Sequence, residues 1–169
     1  MPVLADFGLT VDVPAGWDGR ITRRGDGSPT QLVGPSPVTG LAVTSHPVVH
    51  LANFPLPEVR ADFGSDVVET MGPPDVFAVL FEYGPAAVGT PLFATVGFPQ
   101  LDGSRFAPDT LQRGIPGQAG FQTFFQVSRR AFTLYAVVGS YARRAQLVPP
   151  LDAVLGTMRI AAPVGPPSG

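Results

Sequence analysis

The stretch from Phe121 to Val138 constrains the fold more than any other part of the chain. Strand residues point alternately to opposite faces, so a two-stranded ribbon keeps each face coherent in few registers. Setting Phe121, Thr123, Phe125 and Val127 opposite Val138, Ala136, Leu134 and Phe132 yields an almost continuous apolar face. The other face then carries Gln122, Phe124, Gln126 and Ser128 against Val137, Tyr135, Thr133 and Ala131. A slip of a single residue would mix the two sets. At the bend, Ser128-Arg129-Arg130 offers no Gly or Asn for the positive φ of a tight primed turn. The reading therefore predicts a loop longer than two residues.

The remaining elements are shorter. Leu9, Val11 and Val13 alternate with polar residues as a first strand that stops at Pro14, and Ile21 to Arg24 returns. Gly25 to Pro29 is a loop by composition, and a Pro/Gly-rich crossing from Gly34 to Gly40 leads to a strand over Leu41 to Ser45. Val48 to Phe54 resumes an extended course after Pro47. Asp66 with Glu69 resembles a capping box and predicts a short helix over Asp66–Met71, stopped by Gly72. Val76 to Tyr83 is apolar at odd and even positions alike, the mark of a central strand covered on both sides. From Gly84 to Gly120 the chain is turn-rich, with at most one strand near Leu92–Gly97.

After the hairpin, Leu147, Leu151, Val154, Leu155 and Met158 recur at helical spacing. Pro149 and Pro150 fit that helix only in its first turn. Gly156 ends it, and Met158 to Ile160 is a last strand. Residues 1–160 thus read as one α+β domain, an antiparallel sheet layered with helices, followed by a Pro/Gly-rich tail over 161–169.

Composition excludes several function classes. Cysteine is absent, which removes disulfides, thiolate ligands and a cysteine nucleophile. No stretch approaches a membrane span, and the first residues lack the basic and apolar regions of a signal peptide, so the expectation is a cytoplasmic protein. A net charge of −2 argues against nucleic-acid binding. Charged residues are 14% of the chain, against about 25% in an average domain. The deficit falls on the surface, because cores hold little charge.

Three phrases carry a resemblance. They are Leu9-Thr10-Val11-Asp12-Val13-Pro14-Ala15-Gly16-Trp17, Ala131-Phe132-Thr133-Leu134-Tyr135-Ala136, and Leu151-Asp152-Ala153-Val154-Leu155-Gly156-Thr157-Met158-Arg159-Ile160. In this order they resemble the PsbP-like fold, in particular bacterial members from GC-rich genomes. The resemblance implies an α/β/α sandwich and a non-enzymatic binding or assembly role, and it transfers no catalytic residue. Members that are secreted carry a leader or a lipobox cysteine; this sequence shows neither.

No constellation of catalytic residues emerges, and no cofactor is implied. His46 and His50 are four apart, with Glu58 and Asp62 nearby in sequence. A catalytic zinc needs about three ligands in tight geometry, and these carboxylates follow no ligand spacing. Both histidines therefore read as surface or capping residues, with no metal. No Gly-x-Ser-x-Gly elbow occurs, and Gly25-Asp26-Gly27-Ser28 lacks the lysine of a phosphate loop. Arg23, Arg24, Arg129 and Arg130 would form a basic, anion-contacting patch if the first strands lie beside the hairpin loop; solvated loop ends are the plainer reading.

The surface separates the functional hypotheses. One long helix and one short helix cover one face and part of the other of a sheet whose central strand is apolar on both faces. The long Pro/Gly loops supply few large side chains, which predicts an exposed apolar patch. Phe54, Phe93, Phe98 and Phe106 are its candidate protein contacts. The first hypothesis is a non-enzymatic assembly module or adaptor that binds another protein or itself. The alternative is a small-molecule-binding protein or enzyme with a pocket between sheet and helix.

Overall fold

The computed structural model describes residues 2–23, 46–58 and 67–163. Its strands in chain order are β1 (Val3–Asp6), β2 (Leu9–Asp12), β3 (Asp18–Arg23), β4 (Pro47–Ala52) and β5 (Val76–Tyr83). The hairpin strands β6 (Ala119–Val127) and β7 (Arg130–Val138) follow, then helix α1 (Arg144–Leu155) and β8 (Arg159–Ile160). Two antiparallel sheets result, one of order β1-β2-β8 and one of order β3-β4-β5-β7-β6. Among the described residues the fold is mostly β, with α1 as its single α-helix.

The apolar run in β5 occupies the middle of the larger sheet, and every residue of it except Tyr83 is buried. One face, with Ala78, Leu80, Phe121, Phe125, Phe132 and Leu134, packs under Leu147, Val148, Leu151, Val154 and Leu155 of α1. Leu9 and Val11 of the small sheet join the same core. The opposite face, with Phe77, Val79, Phe81, Tyr135 and Val137, is covered by Leu56, Val67 and Val68, with Phe54, Met71, Leu111 and Ile115 at its margin. The chain therefore covers both faces of its central strand, and on the second face it does so with non-helical segments among the described residues.

Several expectations need correction. The hairpin pairs Phe121 with Ala136 and Val127 with Arg130, two residues closer to the bend than the sequence reading placed them. An even shift leaves each side chain on its face, so the inward set survives. The loop is a two-residue turn after all, with Ser128 at φ 53° and Arg129 at φ 60°. Contacts from outside the hairpin hold this left-handed pair: the Ser128 hydroxyl donates to the Ile160 carbonyl at 2.8 Å. A similar turn at Phe7 and Gly8, φ 49° and 75°, joins β1 to β2, and β1 was not foreseen.

Helix α1 starts at Arg144, so Pro149 and Pro150 lie in its middle and not in its first turn. Both face solvent. The short helix shrinks to a 3-10 turn over Val68–Thr70, and its proposed cap Asp66 lies outside the described residues, as does the strand over Leu41–Ser45. The segment over residues 84–118 forms 3-10 turns and no strand. Two isolated bridges tie it to edge strand β6, Val96 with Gln126 and Ala107 with Gly120. This cover blunts a free sheet edge that would otherwise invite pairing with other chains.

Directly after β7, Gly139 donates its N–H to the Asp75 carbonyl at 2.8 Å, and a Cβ built on it would stand 1.9 Å from the Gly72 carbonyl oxygen. The obstacle is backbone, so no rotamer change relieves it. Gly139→Ala is expected to destabilise the protein by about 1–3 kcal/mol through local overpacking. A thermal melt unchanged from wild type would show that the crossing of residues 72–75 over β7 is looser than described.

Candidate interaction surface

The four phenylalanines expected on the outside do not form an exposed patch. Phe106 is 1% exposed and stacks on Phe121 at 5.6 Å; Phe93 is 3% exposed, between Tyr83 at 5.1 Å and Phe124 at 5.8 Å. Phe98 is half-buried, edge-on to Phe125 at 5.3 Å, and Phe54 is half-buried against the second core layer. For Phe93 the reason is the 3-10 geometry of its loop. With three residues per turn, consecutive side chains diverge by about 120°, so a short turn can bury one and expose its neighbour.

The turn over Pro91–Phe93 does this: Phe93 goes in, and Leu92 stays 58% exposed. Four residues on, Val96 is 77% exposed while its flanking backbone is fixed to β6. Gly97 N–H donates to the Gln126 carbonyl, and Gln126 N–H donates to Thr95, both at 2.8 Å. Leu92 and Val96 were missed because the sequence ranks rings above aliphatics, and turn geometry inverted that ranking. The other large apolar side chains exposed among the described residues are Val3 and Tyr141.

The arginines divide likewise. The turn after β1 does lie beside the hairpin tip: Arg130 donates from Nη2 to the Phe7 carbonyl at 3.1 Å, and the Arg23 guanidinium sits over the Phe7 ring at 4.2 Å. Arg130, however, is only 8% exposed and forms a two-pronged ion pair with Glu82, Nε to Oε1 at 2.8 Å and Nη2 to Oε2 at 2.7 Å. Its Nη1 donates to the Ala161 carbonyl at 3.2 Å. The expectation that Arg130 contacts an external anion is corrected, because its charge and donors are committed to the fold. Gly8 belongs to the same clamp, since a Cβ there would stand 2.9 Å from Arg130 Nη1. Arg23 and Arg129 remain exposed, and Arg24 lies outside the described residues.

His50 is not a surface residue: it is 2% exposed and stacks on Phe77 at 5.9 Å. His46 is half-buried beside Gly84, and Asp62 lies outside the described residues. Among the described residues no group of three or more His, Cys, Asp or Glu side chains is placed to hold a metal ion. Burial raises the Tyr135 phenol above its ordinary value, opposed by the Gln112 N–H that its hydroxyl accepts at 2.8 Å. At the surface, Asp102 accepts from the Ser104 N–H at 2.9 Å and the Ser104 hydroxyl at 2.8 Å, which hold its carboxyl below the ordinary value, with Arg105 adding to the effect. No helix among the described residues is long and apolar enough to cross a membrane.

No family model, curated protein or solved structure matches the chain.

Proposed function

We propose that the chain is a non-enzymatic protein-binding module, an accessory subunit or adaptor acting in the cytoplasm and built on the PsbP-like plan. The plan is supported by the order of elements, with the Pro14-Ala15-Gly16-Trp17 turn after the second strand and helix α1 leading into the last one. Trp17 of that turn packs on the main core.

The observation that carries the binding role is the exposed pair Leu92 and Val96 on a backbone-pinned segment. Fully burying an aliphatic side chain of this size is worth roughly 1.5–3 kcal/mol. A segment already held in place loses little further freedom on binding, so more of that gain appears as affinity. The partner is another protein or a second copy of this chain.

Two assays on the Leu92→Ser/Val96→Ser double variant test the role. Light scattering on a sizing column reads self-association, and retention from a lysate of the native cell reads a foreign partner. Wild type is expected to give a complex in one of them and the variant to lose it, with its melting temperature unchanged. Wild type and variant behaving alike in both would overturn the role.

A further inference from the structure

A second feature, independent of Leu92 and Val96, lies where the first turns of α1 face the 3-10 turn over Gly103–Arg105. An open groove of about 800 Å³ runs between them, a size common among small-molecule clefts. Arg105 stands on one wall and Arg144 on the other, with Ser104 and Gln100 adding hydrogen-bonding groups and Ala145 and Pro149 an apolar strip. Each guanidinium lies over an aromatic ring. Arg105 lies over Phe121 at 4.8 Å, and Arg144 lies over Tyr141 at 4.1 Å while donating to the Tyr141 carbonyl at 2.9 Å. The walls are tied together, because the Leu101 N–H donates to the Asp152 carboxylate of α1 at 2.8 Å. Neither arginine is in an ion pair with a carboxylate among the described residues.

We propose that this groove binds a small carboxylate bearing a short apolar group. A guanidinium presents a planar fork of donors matched to the two oxygens of a carboxylate, and each fork here lies over an aromatic ring. Asp102 also lines the groove and, held ionised by Ser104, sets one negative charge against the two guanidiniums. The site keeps a net positive charge for an anion, and its apolar wall favours a carboxylate that carries an alkyl group over inorganic phosphate. Ala145 and Pro149 on the helix side would meet the apolar group.

Sodium butyrate is the probe, titrated into isotopically labelled protein at constant ionic strength while backbone amide shifts are followed. Saturable shifts are expected at Ser104, Arg105 and Ala145, with a dissociation constant on the order of 1 mM, as suits so few contacting atoms. They should vanish in the Arg105→Gln/Arg144→Gln double variant, whose remaining spectrum stays that of wild type. Should that variant fold poorly, Arg144→Lys keeps the charge but loses the fork, and is expected to weaken binding about fivefold or more. Absence of saturable shifts in wild type would overturn the proposal, as would shifts that persist undiminished in the variants. Equal shifts from butylamine or from inorganic phosphate would overturn the assignment to carboxylates.

Discussion

Truncating Phe125 to alanine is expected to cost about 3–5 kcal/mol, the range for removing a fully buried phenylalanine. Its side chain is fully enclosed, stacked on Phe132 at 5.7 Å and met edge-on by Phe98 at 5.3 Å, beneath α1. The cavity would open between two strands and a helix, where the hydrogen-bonded ladder keeps the backbone from collapsing into it. Since domains are stable by only about 5–15 kcal/mol, such a loss would remove a large share of the total. Urea melts of wild type and variant measure it. A difference below about 1 kcal/mol would mean that the ring faces a space able to close around the gap.

A comparable loss, about 3–5 kcal/mol, is expected for Glu82→Ala, which strands the Arg130 guanidinium without its counter-charge. The side chains of both partners are nearly enclosed, at 8% exposure for Arg130 and 11% for Glu82, so water does little to replace the carboxylate. The paired replacement Glu82→Leu with Arg130→Met should recover most of this stability, because apolar residues of similar volume often substitute for a buried ion pair. It should not recover the clamp. Without Arg130 the Phe7 and Ala161 carbonyls lose their donor, so amide exchange at Ala161, whose N–H is bonded to Gly8, should quicken in the double variant. A Glu82→Ala variant as stable as wild type would show that the pair contributes little.

What the sequence disclosed follows from which signals are local. The faces of β6 and β7 were legible because alternation is a property of each strand alone, and the even register error left them intact. The turn between them was not, because Ser128 and Arg129 adopt positive φ without glycine, held in part by a contact to Ile160. The prolines of α1 misled in the same way. A helix start was assigned to them on hydrogen-bonding grounds, yet the helix begins at Arg144 and carries them on its solvent side. For the candidate surface, ring inventory alone could not tell Phe93 from Leu92; that distinction needs the turn geometry. Arg129 and Arg130 are adjacent and alike in sequence, and only the approach of Glu82, Phe7 and Ala161 makes one of them structural.

The order of the small sheet bears on how the protein is made. β2 is flanked by β1 from the start of the chain and by β8 from its far end, with Leu9 opposite Ile160 and Thr10 opposite Arg159. While the ribosome is still adding residues, one edge of β2 has no strand to meet. The β1–β2 ribbon, marginal alone as two-stranded ribbons are, waits until β8 has left the exit tunnel. Closure then pairs Leu9 with Ile160, a long-range contact pattern that slows folding. A nascent chain halted before β8 would present that unpaired edge to chaperones and to its neighbours on the same polysome.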